Sequence, residues 1–208
     1  MKKLTFLCVT WLITTLTLNA ATIEVTVTFD RGAPPAVLMW MPEDTTWKPT
    51  EPTTVDQVNQ TFVPTIAVAP PGGTVRFTNS DTVQHNVFAL DDERKINTDL
   101  GLAAPESVLT LTVAWPAGAV VKHGCKIHPQ MQLWIASLNS SLHQVVSIPD
   151  GQLTATLRLK QVPITYTRVA LWAPRIEALE TTKTQGPLLR RGKPAGTFTV
   201  RRLPDSNE

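Results

Sequence analysis

Gly124-Cys125-Lys126-Ile127-His128-Pro129-Gln130-Met131 is the stretch from which the rest of the chain is read. It spaces a thiol, an imidazole and a thioether three residues apart, as Cys125, His128 and Met131. Well upstream, His85 stands in Val83-Gln84-His85-Asn86-Val87-Phe88. Each residue type is common alone. The order His … Cys-x-x-His-x-x-Met is much less so.

Two imidazoles and one thiolate, with a weak axial thioether, are the ligand set of a blue-copper electron-transfer site. Thiolate and thioether are soft and hold Cu(I), while imidazole suits both oxidation states. A set that part-satisfies both states changes little when an electron arrives. One tight loop supplies three of the four groups and a separate strand supplies the fourth. Such a site is complete only once a β fold is built, and it is expected to be largely preformed by the protein.

Working outward, 119–123 reads as the strand that delivers Cys125, and 132–137 as the strand that returns. Residues 107–115 alternate more strongly than any other stretch, and Pro116-Ala117-Gly118 turns that strand toward the loop. Further strands are predicted at 22–29, 36–41, 66–68, 74–79 and 85–90. Met39 and Met41 share one face of their strand, with Trp40 on the other, and read as core packing rather than a second metal site. Beyond 141, the stretches 145–148 and 153–159 read as a hairpin closed by an Asp150-Gly151 turn, and two more strands are predicted at 165–172 and 196–201. Residues 42–60, 91–104 and 183–194 read as polar loops.

Three segments carry a family resemblance. Phe62-Val63-Pro64, then Val75-Arg76-Phe77-Thr78-Asn79-Ser80-Asp81, then His85-Asn86-Val87 resemble the plastocyanin and amicyanin family of cupredoxins. The loop from Cys125 to Met131 has the short amicyanin-type spacing. It is similar, more closely, to the Cys-x-Ile-His-Pro-x-Met loop of exported methylamine-utilisation or plastocyanin-like proteins, and Asp99-Leu100-Gly101 also matches their pattern. The resemblance covers 55–140 well and the remainder loosely. It implies an all-β chain: a cupredoxin-like Greek-key β-sandwich at 21–140, followed by a smaller β-sandwich-like region at 141–208. It also implies one mononuclear type 1 copper, bound by His85, Cys125, His128 and Met131. The region 141–208 resembles a small transthyretin-like or carboxypeptidase-regulatory-like β-sandwich. So short a stretch makes a thin core, so strands from 21–54 are expected to pair with it, or it is expected to pack on the copper domain.

Two neighbours of the ligands deserve a reading of their own. Asn86 can donate and accept through its amide. Beside a ligand histidine it is placed to pin the loop carrying Cys125, and groups of this kind orient ligands and tune a metal. His123 shares a strand face with Cys125. A hydrogen-bonded or exposed histidine is the favoured reading over an alternative ligand. Gly124 departs from the family, in which a bulky residue precedes the cysteine.

Residues 1–20 read as a secretory signal, with Lys2 and Lys3 ahead of an apolar run and a small-residue cleavage point at Asn19-Ala20. The run is short for a bilayer span. Without its two lysines, the remaining basic residues equal the seventeen acidic ones. Neither nucleic acid nor an anionic membrane is implied as a partner. Cleavage also removes Cys8 and leaves Cys125 as the lone cysteine of an exported chain. A free thiol there calls for an occupant, and a metal supplies one.

The motifs of other chemistries are missing. There is no Cys-x-x-Cys-His, no Gly-rich phosphate loop and no Gly-x-Ser-x-Gly elbow. Four histidines are too few for a multicopper oxidase with a blue site. The favoured expectation is a non-enzymatic, periplasmic or secreted one-electron carrier with redox protein partners and no membrane span after signal cleavage. The alternatives are a copper-binding, trafficking or sensing protein, and a structural β protein with an unoccupied site.

Overall fold

A computed structural model describes residues 20–205, and every regular element among them is a strand. The signal reading falls outside the described residues except for Ala20, which opens the first strand. In chain order the first strands are β1 (Ala20–Phe29), β2 (Ala36–Trp40), β3 (Thr53–Val58), β4 (Thr61–Val63), β5 (Ile66–Ala69) and β6 (Thr74–Asn79). Then come β7 (His85–Asp91), β8 (Ile96–Ala103), β9 (Val108–Thr112), β10 (Val120–Gly124) and β11 (Gln132–Ser137). The last are β12 (His143–Ser147), β13 (Thr154–Pro163), β14 (Val169–Ala173), β15 (Ile176–Thr181), β16 (Gln185–Arg190) and β17 (Lys193–Pro204).

These strands make four sheets, ordered β4-β3-β6-β9, β5-β11-β10-β7-β8, β12-β2-β14-β15 and β13-β1-β17-β16. Three apolar clusters lie between them, so the sheets stack in that sequence. The first cluster joins Val55, Phe77 and Val75 to Val87, Leu133 and Ile135. The last joins Val37, Met39 and Met41 to Val25, Val27 and Leu157. The middle one sets Ala36 and Leu38 against Ile66, Val68 and Ala136.

The side-chain period of two explains how one strand serves two cores. Along β2, Val37 and Met39 point to one cluster while Ala36 and Leu38 point to the other. On β11, Leu133 and Ile135 face the first cluster, and Trp134 and Ala136 pack in the middle one. Sheets covered on both faces read as continuous apolar runs, which is what β2 and β5 show.

The first pair of sheets forms a cupredoxin-like sandwich. Its neighbours in space are mostly not neighbours in the chain: β7 lies beside β10, β5 beside β11 and β6 beside β9. This is Greek-key wiring. The second sandwich draws β1 and β2 from the front of the chain. β1 pairs with β13 and β17, and β2 with β12 and β14, so the two stretches expected to form a hairpin about Asp150-Gly151 are strands of different sheets, each paired to a strand from the front of the chain. Of the stretch 21–54, only the end, where β3 begins at Thr53, belongs to the first sandwich.

Two segments cross between the sandwiches, and Asp44 binds them together. The carboxylate is 4% exposed. One oxygen accepts from the Thr46 backbone and hydroxyl, at 3.1 and 2.7 Å. The other accepts from the Ser141 backbone and hydroxyl, each at 2.6 Å, and from the Leu142 backbone at 3.0 Å.

Three stretches read as loops contain strands. β3 has only Val55 and Gln57 fully buried, so its alternation carries one apolar residue. β8 and β16 lie at sheet edges and are mostly solvent-facing. Pairing with β7 and β17 makes them strands where local composition does not.

Candidate metal centre

The site lies at one end of the first sandwich, where β7 begins, β10 ends and β11 begins. His85 is the first residue of β7, Cys125 follows β10 directly, and Met131 precedes β11. Between them a turn closes, with the Met131 backbone N–H donating to the His128 carbonyl at 2.9 Å. Antiparallel neighbours thus bring together residues far apart in sequence.

One ligand atom each of His85, Cys125 and His128 lies within 4.8 Å of the others. The two Nδ1 atoms are 3.0 Å apart, and the Cys125 sulfur is 3.9 Å from His128 Nδ1. Met131 is 1% exposed and packs in the same apolar cluster as Cys125. His85 is fully buried, Cys125 is buried, and His128 is half-buried.

The sulfur is held by backbone donors on two segments. The Asn86 N–H donates to Cys125 Sγ at 3.3 Å, and the His128 N–H at 3.4 Å. Both point at the atom that binds metal as a thiolate. The Asn86 side chain ties the loop to the next strand. Its Nδ2 donates to Asp99 Oδ1 at 2.7 Å and to the Gly101 carbonyl at 3.0 Å. Its Oδ1 accepts from the Lys126 backbone at 3.4 Å. Asp99 in turn pairs with Lys126 Nζ at 2.6 Å. Lys126, the Gly101 backbone and Asn86 together hold the Asp99 carboxyl down to about 2.

His85 is oriented from behind by Asp81, whose Oδ2 lies 3.1 Å from Nε2. An ionised carboxylate can only accept, so Nε2 carries the proton and Nδ1 presents its lone pair to the cluster. The Gln60 backbone N–H above all keeps the Asp81 carboxyl below the usual range; burial opposes it, and the His85 ring adds to the lowering.

His123 stands apart from the cluster. Its ring is buried, lies 5.7 Å from the Trp115 ring, and approaches the Val121 carbonyl at 3.2 Å through Nδ1. Burial pushes its pKa down to about 4, so the ring is neutral. Gly124 also finds its reason here. A Cβ on it would come within 3.2 Å of the Phe88 ring. The Phe88 ring packed there leaves little room for a side chain before the cysteine.

Sequence reasoning passed over Asp81 and Asp99, one read as a turn residue and the other as part of a polar connection. The Asp99-Leu100-Gly101 match signalled a pattern without a role, and Asp81 lay inside a segment quoted for its resemblance. Neither partner is visible until distant segments are brought together.

The donor set fits a soft ion. Two imidazole nitrogens and a cysteine sulfur converge, one imidazole with its lone pair directed inward, and this chemistry suits copper. Opposed nitrogens 3.0 Å apart cannot both carry hydrogens, so at least one lone pair faces the gap.

No known family model matches the chain, and no curated protein matches it. Several solved structures of the cupredoxin fold are similar. The copper-containing nitrite reductase of Thermus scotoductus SA-01 is 24% identical over 41% of this chain, with a TM-score of 0.37. The chain spans only 22% of that protein's length. A reduced, Cu(I) form of an amicyanin variant is 16% identical over 53% of this chain and 97% of its own, with a TM-score of 0.38. A purple cupredoxin from Nitrosopumilus maritimus is 20% identical over 41% of this chain and 98% of its own, with a TM-score of 0.33. The functional reading rests on the site's own geometry.

Proposed function

We propose that the chain is a type 1 copper protein that carries single electrons, exported to the cell envelope by its first twenty residues. The observation that carries this reading is the convergence of His85, Cys125 and His128 at one sheet end, with the sulfur gripped by two backbone N–H groups. His85, Cys125 and His128 would hold one copper ion, with the Met131 thioether as a weak fourth donor. Bound there, copper supplies the Cu(II)/Cu(I) couple.

The chain's own residues do the rest. Asp81 and the fold fix the His85 ring, so a change of oxidation state meets ligands already in place. The buried Cys125 and Met131 keep water from that side. His128 alone of the three clustered residues is partly exposed, beside the exposed Ile127 and Pro129. Its ring edge is therefore the short way from the ion to a docked redox protein.

Voltammetry of the copper-loaded protein tests this. A reversible one-electron wave supports the carrier. Tight Cu(I) binding without a reversible wave supports a copper-handling protein instead. Failure to take up copper supports a structural role and removes the proposal.

A further inference from the structure

We propose that Asp81 is a positioning residue of the metal centre. Its carboxylate fixes the His85 ring with Nδ1 inward, and its charge, set behind that ligand, favours Cu(II) over Cu(I). The second half of this statement rests on the copper reading above; the first does not.

The contact is built rather than incidental. His85 is fully buried, and its Nε2 meets Asp81 Oδ2 at 3.1 Å. The same oxygen accepts the Gln60 backbone N–H at 2.8 Å, and the other oxygen accepts from Thr82 at 3.2 Å. The Asp81 backbone N–H donates to Asn79 Oδ1 at 3.0 Å. Asn79 is itself buried, and its Nδ2 is shared between the Val83 and Ala103 carbonyls at 3.0 and 2.9 Å. The carboxylate is thus held from both sides of the bend that leads into β7.

A second connection closes the circle around the site. Asn59 and Gln60 join β3 to β4 with φ of 51° and 54°. Two consecutive positive φ values are what a two-residue type I′ hairpin turn requires. That turn aims the Gln60 N–H at Asp81. The Gln60 side-chain oxygen accepts from Gln130 Nε2 at 3.0 Å, and Gln130 lies between His128 and Met131 in the ligand loop. The order Gln130, Gln60, Asp81, His85 therefore links the loop that carries three candidate ligands to the strand that carries the fourth. A neutral acceptor behind His85 could orient the ring equally well. Only a carboxylate also places a negative charge there, and such partners raise ligand basicity.

Two measurements on the full chain test this. In the metal-free protein labelled with ¹⁵N-histidine, long-range ¹H–¹⁵N spectra report the His85 tautomer. The expected result is the Nε2–H form; an Nδ1–H form overturns the assignment, whatever the protein does with copper. In the copper-loaded protein, Asp81→Asn keeps an oxygen acceptor and removes the charge. The Cu(I)/Cu(II) ratio at a fixed potential should rise about tenfold, which for one electron is ~59 mV upward, with the visible spectrum kept. Asp81→Glu, which restores the charge, should return the potential most of the way. A potential that is unchanged or lower in Asp81→Asn overturns the electrostatic role. A wild-type protein that takes up no copper, yet shows the Nε2–H tautomer, sinks the carrier reading and the electrostatic claim while the positioning contact stands.

Discussion

His85 and His128 face each other through their Nδ1 atoms at 3.0 Å. Because Asp81 fixes the His85 proton on Nε2, a neutral His128 can bridge this gap only by donating from its own Nδ1. A metal ion held at His128 Nδ1 would move that proton to Nε2, a tautomer change with no net release, and would take the cysteine as thiolate. Copper uptake is therefore expected to release the thiol proton. Calorimetry in buffers of different ionisation enthalpy reads this directly, and a binding heat independent of buffer would count against the arrangement.

Met131 is expected to tune the site rather than to make it. The axial donor of such a centre is weak and sets the redox potential. Met131 is buried with Cys125 in one apolar cluster, so Met131→Leu preserves packing to within about 1.5 kcal/mol. The variant should keep its colour when loaded with copper and show a shifted potential. Loss of the colour would show that the thioether is needed to build the centre.

Asn86 joins three segments through its side chain: Asp99 at 2.7 Å, Gly101 at 3.0 Å and Lys126 at 3.4 Å. Asn86→Ala removes all three, while Asp99 Oδ1 keeps the Gly101 backbone N–H at 2.9 Å. A loss of about 1–3 kcal/mol in denaturant unfolding is expected, along with faster loss of copper. The thiolate bond from the Asn86 backbone is unaffected by the change, so the colour itself should remain. Wild-type stability in Asn86→Ala would show that the side chain does not hold the loop.

The junction between the sandwiches predicts an acid limit. Burial alone would raise the Asp44 carboxyl. The donors from Ser141, Thr46 and the Leu142 backbone outweigh it and hold the group well below the usual carboxylate range. A carboxyl depressed in the fold contributes stability that is complete above its unfolded value, near pH 4. That contribution is lost as pH falls through the range below. Asp44→Asn should lower stability by about 2 kcal/mol at pH 7, and the difference from wild type should shrink below pH 4. Thermal unfolding across pH 2–7 checks this, and a difference that does not vary with pH would contradict it.

The candidate ligands were legible because three of them are neighbours in sequence, and chain spacing alone sets them on one turn. Most strands were legible from their period of two. β8 and β16 were not, since each lies at a sheet edge, open to solvent on much of its surface, and owes its form to a partner strand; β3 was not, since its two buried positions carry one apolar side chain. The same physics hid Asp81 and Asp99. A carboxylate in a polar segment looks solvated until a distant imidazole or amide is placed against it. Gly124 is the reverse case. Its small size looked like a departure, and the Phe88 ring packed against it leaves little room for a side chain.

The central claim is that Cys125 binds copper as a thiolate between two imidazoles. The most direct test is the visible absorption spectrum of the metal-free protein during titration with Cu(II), beside that of Cys125→Ser. The account predicts an intense thiolate-to-copper charge-transfer band that saturates at one equivalent and bleaches reversibly on reduction, with no such band in Cys125→Ser. A wild-type spectrum that matches that of Cys125→Ser would contradict it.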